Sequence, residues 1–167
     1  MTENYARILG DHTADVIRRI SDLKPTEIRI TSQPTALPAC ELAVRIDFQG
    51  QAEGRELVTG YVMCGFIHHN QSRPLLQAMA HHLCFDKSLL ATAEGPVNVM
   101  KEFLNIIIGL AGADWAEQGF EMNFSTPSDL SGQPLPPLGA ADAAYHLVVL
   151  TDAGVKVDIL AVFRECE

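Results

Sequence analysis

A carboxylate and a carboxamide lie one helical turn apart in the most apolar helical stretch of the chain. Glu102 and Asn105 belong to a predicted helix over residues 96–118. At about 100° per residue they share one face of it with Asn98 and Gly109. A carboxamide can donate and accept hydrogen bonds at once, and a carboxylate can accept a proton. The four positions are either a functional site or polar residues that share a solvent-exposed face by chance.

The opposite face of this helix is broad and apolar, so we expect it to be buried. Its apolar residues are Val97, Met100, Phe103, Leu104, Ile107, Ile108, Ala111 and Trp115. A helix packed through that face would hold Glu102 and Asn105 toward solvent. Ile106 falls beside Glu102 and away from the core, where it would supply the exposed apolar contact of a docking face.

Hydrophobic periodicity and turn residues predict the other elements. Helical patterns cover residues 5–23 and 72–83, residues 50–54 indicate a turn, and residues 128–141 indicate a flexible loop rich in Pro and Gly. The strand patterns cover residues 27–31, 42–48, 56–66, 120–124, 145–150 and 155–163.

The resulting order, α-β-β-β-α-α-β-β-β, predicts a single α+β domain over residues 1–167. We expect a two-layer fold in which helices pack on one face of an antiparallel-rich sheet.

Composition excludes several classes of function. The net charge of −9, from 21 acidic and 12 basic residues, disfavours nucleic acid as a partner. No segment reaches the roughly 18 apolar residues of a membrane span, and no secretory signal pattern is evident, so we expect a cytoplasmic protein. The widely spaced cysteines favour reduced, buried thiols over a disulfide framework. The histidines and cysteines lack metal-site spacing, so we expect the chain to bind no metal or other cofactor.

The pattern Glu102-x-x-Asn105-x-x-x-Gly109, followed by a strand and then Pro127, resembles the CheX/CheC/FliY group. The pattern of that group begins with Asp or Ser four residues before the glutamate, and here that position is Asn98. The motif occurs once, which is similar to CheX rather than to the two-copy members of the group.

This resemblance implies a phosphatase that hydrolyses the aspartyl phosphate of a phosphorylated CheY-like response regulator, whose receiver domain binds Mg²⁺. It implies that Asn105 positions the attacking water and that Glu102 pairs with a lysine of the receiver. Glu102 as a general base is the alternative. Asn98, Ile106 and Gly109 are then expected to contact the partner.

Two further possibilities remain open. The same fold could dock a receiver domain or another signalling protein without catalysis, and the departure at Asn98 favours that alternative. Because members of the resembled group form homodimers, we also expect a homodimer, and an exposed strand at residues 42–48 could pair between copies by sheet extension.

Overall fold

The computed structural model describes residues 1–35, 39–52, 56–140 and 142–166. Its helices and strands, in chain order, are α1 (Thr2–Ile20), β1 (Pro25–Ser32), β2 (Leu42–Ala52), β3 (Glu56–Phe66), α2 (Arg73–His82), α3 (Gly95–Glu117), β4 (Phe120–Phe124), β5 (Ser128–Asp129), β6 (Ala143–Thr151) and β7 (Lys156–Cys166). Two short 3₁₀ helices, His69–Ser72 and Lys87–Ala91, flank α2.

The strands form one antiparallel sheet in the order β1-β6-β7-β3-β2-β4. The short strand β5 also pairs with β2, at residues 44 and 45, whereas β4 pairs with residues 48–52 of β2. All three α-helices contribute to one large apolar core against a single face of this sheet. The predicted α+β architecture and element order are confirmed, with the two-residue strand β5 as an addition.

The central strands β3 and β7 are apolar on both faces, as buried strands are. In β7, Ile159 and Phe163 point into the helix-covered core, whereas Leu160 and Val162 belong to a second apolar cluster on the other face. Tyr61 of β3 also belongs to the second cluster. The sheet therefore needs apolar cover on its second face too.

The segment predicted as a flexible loop supplies that cover over residues 128–140. The prediction of a loop is confirmed for residues 130–140, which form neither helix nor strand, and is wrong for residues 128 and 129. Residues 128 and 129 pair with β2 as strand β5. Leu130, Leu135 and Leu138 then pack against the second cluster. The prolines and glycines of this loop allow a non-repetitive path across the sheet, and residue 141 lies outside the described residues.

Several boundaries differ from the predictions. The prediction of a turn at residues 50–54 was wrong in its first part, because Gly50 to Ala52 continue β2. Residues 53 and 54 lie outside the described residues.

The strand at residues 42–48 was expected to be exposed, but β2 pairs with β3 on one side and with β4 and β5 on the other. A dimer built by sheet extension would have to use β1 or the β4–β5 edge.

Each of the four cysteines retains its thiol, as expected, but their surroundings differ. Cys40 and Cys64 are buried, and burial raises the pKa of the Cys40 thiol to about 11. Cys84 and Cys166 are exposed, so the expectation of buried thiols was wrong for these two. None of the helices in the described ranges combines the length and apolarity needed to cross a bilayer.

A carboxylate ties the C-terminal end of the covering segment to the sheet. Both oxygens of Asp142 accept hydrogen bonds from Arg164 of β7, at 3.0 and 3.1 Å, and one also accepts from the amide of Gly139 at 2.8 Å. The hydrogen-bonded guanidinium of Arg164 lowers the pKa of Asp142 below its usual value. The ionised carboxylate therefore stabilises the folded state.

We predict that Asp142→Asn lowers the free energy of unfolding at neutral pH by roughly 1–2 kcal/mol, since Arg164 is partly exposed. Because the folded-state pKa is the lower one, this stabilisation is complete above about pH 4 and is lost as the pH falls through that folded pKa. Urea denaturation of both proteins at neutral and acidic pH measures it. A difference that does not shrink in acid, or one matched by Glu121→Gln on the exposed part of β4, would contradict the prediction.

Candidate functional site

The helix α3 has defined signals at both ends. Pro96 occupies its first turn, where a missing amide proton costs nothing. The hydroxyl oxygen of Thr92 accepts a hydrogen bond from the amide of Gly95 at 3.0 Å. At the other end, Gly119 adopts a positive φ of 80°, which favours glycine after a helix. The predicted helix 96–118 is confirmed to within one residue at each end.

One face of α3 is fixed by the core. Trp115 is fully buried, and its indole N–H donates to the carbonyl oxygen of Tyr5 in α1 at 3.2 Å. His12 of α1 also contacts Asp114 of α3 at 2.7 Å. All the residues predicted for the buried face are fully buried except Val97, which is half-buried, and Val99 is an additional buried residue. The rotation of α3 about its axis is therefore set by packing.

The opposite face carries an exposed stripe formed by Asn98, Glu102, Asn105 and Gly109. Successive members are separated by about 4.5–6 Å along the helix axis. Within the described part of the chain, the side chains of Asn98, Glu102 and Asn105 have no hydrogen-bond or ion-pair partner. Their polar groups are thus available to a second molecule, and a carboxylate and a carboxamide can contact that molecule together.

Gly109 leaves open space on this stripe. A Cβ atom built on Gly109 would meet no heavy atom within 4 Å, whereas one on Gly112 would lie 3.0 Å from the ring of Phe124. No neighbour inside the fold therefore requires glycine at position 109. The expectation that Gly109 admits a partner's backbone stays a prediction.

Ile106 does not lie where the helical wheel suggested. It is half-buried and packs against the main core, so the expectation that it points away from the core was wrong. The exposed large apolar residue of α3 is Leu110, at 37% exposure. The helical wheel gave no signal for its exposure, because it places Leu110 about 80° from Glu102 and nearer the buried face than Ile106.

The other motif residues lie apart from the stripe. Pro127 is half-buried in the link between β4 and β5. The histidine pairs 68–69 and 81–82 are exposed. Among the described residues, no three His, Cys, Asp or Glu side chains are placed to hold a metal ion.

No protein-family model matches this chain, and no curated protein matches it by sequence.

Solved structures do match it over nearly the whole length of both chains. A chemotactic CheC-like protein from Shewanella oneidensis matches with a TM-score of 0.72 and 19% identity, over 98% of this chain and 100% of its own. Chemotaxis protein CheX from Desulfovibrio desulfuricans matches at 0.72 and 14%, over 98% and 99%. CheX in a CheX–CheY–BeF₃–Mg²⁺ complex from Borrelia burgdorferi matches at 0.70 and 16%, over 96% and 98%. The chain therefore has the CheX/CheC fold that the resemblance predicted.

The two glycines of α3 provide a matched pair for testing the open space on the stripe. We predict that Gly109→Ala raises the free energy of unfolding by about 0.5–1 kcal/mol, because alanine loses less backbone entropy in a helix and meets no neighbour. Gly112→Ala should gain less or lose stability, because its Cβ presses on Phe124. Urea denaturation of the two variants measures the difference. No gain or a loss for Gly109→Ala would show that the surroundings of Gly109 are not open, and an equal gain for Gly112→Ala would show that Phe124 moves aside without cost.

Proposed function

We propose that this protein accelerates hydrolysis of the aspartyl phosphate of a CheY-like response regulator. The observation that carries the proposal is the pair of exposed side chains Glu102 and Asn105, which have no partner among the described residues, on a helix whose opposite face is fixed in the core. The CheX/CheC fold supports the class of partner, since one relative with this fold is a CheX bound to CheY with BeF₃ and Mg²⁺. A protein with this role would act in the cytoplasm.

Asn105 positions the attacking water in this proposal. The amide oxygen accepts a hydrogen bond from the water while the amide N–H₂ donates to the phosphoryl group or its surroundings. The water oxygen bonds to phosphorus, the phosphorus–oxygen bond to the aspartyl carboxylate breaks, and the carboxylate leaves with the electron pair. The water's proton passes to the phosphate or to solvent. Mg²⁺, expected in the partner receiver, would neutralise charge on the phosphoryl oxygens.

Glu102 holds the receiver in place by pairing with a lysine of the partner. Its position one turn before Asn105, on the same face, allows both side chains to enter one recess of the partner. Glu102 is exposed and has no interacting side chain among the described residues, which suits an anchoring carboxylate. A general base would instead be expected in a more enclosed setting.

The first test removes the carboxamide. We predict that Asn105→Ala reduces the accelerated loss of phosphate from a phosphorylated receiver by about 10²-fold, because misplacing the nucleophile is costly. Phosphate release at saturating receiver concentration measures the effect. Asn123→Ala is a matched control, since it removes an exposed asparagine of β4 that pairs opposite Gln49, outside the helix α3. Equal rates for Asn105→Ala and the unmodified protein would refute the proposed role.

The second test separates anchoring from proton transfer. If Glu102 anchors the receiver, Glu102→Gln should raise KM by about tenfold, the equivalent of one charge-assisted hydrogen bond, and leave kcat within about twofold. A general base would give the reverse pattern, with kcat lowered and KM unchanged. Steady-state kinetics over a range of receiver concentrations distinguish the two roles.

A binding module without catalysis is the second candidate function. The observation that favours it is Asn98, which stands exposed on the stripe where the resembled group has Asp or Ser. The module would dock a receiver through the same stripe. Tight, phosphorylation-dependent binding by the unmodified protein, with no acceleration of phosphate loss, would support this function over the phosphatase.

A further inference from the structure

A cavity of about 590 Å³ opens between α2, the two 3₁₀ helices and the start of α3. Its volume falls within the roughly 300–1,000 Å³ of small-molecule binding sites. The lining includes the apolar residues Leu76, Leu90 and Pro96 and the polar residues Arg73, Gln77 and Lys87. Among the described residues, no acidic side chain lines it.

Two walls of the cavity carry the same pair of side chains, a cation and a leucine three residues later. On α2 these are Arg73 and Leu76, and on the second 3₁₀ helix they are Lys87 and Leu90. Residues three apart are neighbours on the surface of an α-helix and eclipse each other in a 3₁₀ helix. Leu76 is buried and Leu90 is half-buried, whereas both cations are exposed. The cavity therefore has an apolar interior and a cationic rim.

Neither cation of the rim has a counterion among the described residues. The side chains of Arg73 and Lys87 form no hydrogen bond or ion pair with any described residue, whereas the other six described arginines all pair with carboxylates. Asp86, the neighbour of Lys87 in the chain, instead accepts a hydrogen bond from the amide of Ser88 at 2.9 Å. In a chain whose net charge is −9, two uncompensated cations in one cavity favour a negative charge that comes from outside.

The wall formed by the second 3₁₀ helix is fixed to the start of α3. The hydroxyl of Thr92 donates to the carbonyl oxygen of Leu89 at 2.6 Å and accepts from the amide of Gly95 at 3.0 Å. A Cβ atom built on Gly95 would lie 1.7 Å from the carbonyl oxygen of Leu89, so this close contact requires glycine. A ligand would therefore meet a preformed surface, which lowers the entropic cost of binding.

The cavity and the exposed stripe lie on different sides of α3. Pro96, which lines the cavity, is buried and lies about 120–180° around the helix from the members of the stripe. A molecule in the cavity would leave the stripe accessible. The cavity is therefore a separate site, whatever the stripe binds.

We propose that this cavity binds a small organic anion with an apolar body. The anionic group lies against Arg73 and Lys87, and the apolar body covers Leu76 and Leu90. Guanidinium and ammonium groups donate hydrogen bonds and accept none, so they select a carboxylate or phosphate group over an alcohol or an amine. The amide of Gln77, one helical turn after Arg73, can donate to a further oxygen of the ligand.

Four probes with the same eight-carbon chain test this preference: octanoate, octyl phosphate, octanol and octylammonium. We predict that one of the two anions or both bind with a Kd about tenfold or more below that of octanol, the equivalent of one charge-assisted hydrogen bond, and that octylammonium binds more weakly than octanol. Isothermal titration calorimetry at concentrations below micelle formation measures each Kd. The anion that binds more tightly distinguishes a carboxylate ligand from a phosphate ligand.

Substitutions locate the binding. Arg73→Gln and Lys87→Gln should each weaken the Kd of the preferred anion by about five- to tenfold and leave that of octanol unchanged, because glutamine removes the charge but suits a helix. Leu90→Ala should weaken the anion and octanol alike, because it removes apolar surface from the interior. Lys24→Gln is the matched control, because Lys24 is exposed, lies between α1 and β1, and does not line the cavity.

Three results would overturn the proposal. The first is octanol that binds as tightly as both anions, or no binding of either anion at millimolar concentration. The second is an anion affinity that Arg73→Gln and Lys87→Gln leave unchanged. The third is equal weakening by Lys24→Gln, which would indicate a general attraction of anions to surface cations.

Discussion

The structure depends on the packing of α3 against the sheet through Trp115. Its indole lies among five aromatic rings, with centroids 6.0–6.3 Å away: Tyr5, Phe48, Phe120, Phe124 and Phe163. These rings come from α1, β2, β4 and β7, so one side chain connects helix to helix and helix to sheet. Burying a large apolar side chain contributes about 1.5–3 kcal/mol. The same contact fixes which face of α3 meets solvent.

A helix held in this way presents its polar stripe at little entropic cost. The side chains of Glu102 and Asn105 stand on a backbone that does not have to be ordered when a partner docks, and sites on such elements are more sharply positioned than sites on loops. Within the part of the chain that the structure describes, no side-chain hydrogen bond of the stripe would have to break either. Most of the chain can therefore be understood as a support for about three turns of one helix.

Much of this support could be predicted from local sequence. The strands at residues 56–66 and 120–124 and the long helix have strong periodic or apolar patterns, and their predicted bounds agree with the structure to within a residue. The exposed stripe follows from the same helical period. These features depend on residues close together in the chain.

Features that depend on distant segments could not be predicted in this way. Nothing near residues 42–48 indicates that β4 and β5 will cover that edge of β2. The half-burial of Ile106 depends on what packs beside it, and the cavity joins residues 73, 87 and 96 from three separate elements. Arg73 and Lys87 are ordinary surface cations in sequence, and only the folded chain shows that they share a concave surface.

The segment that crosses the second face of the sheet has a consequence for the unfolded chain. It carries Pro134, Pro136 and Pro137 around the anchoring leucines 135 and 138. Proline rings restrict the conformations available before folding, by an amount worth about 0.4–1 kcal/mol at each compatible site. The segment can therefore remain in place without regular secondary structure, because much of its conformational freedom is already absent from the denatured ensemble.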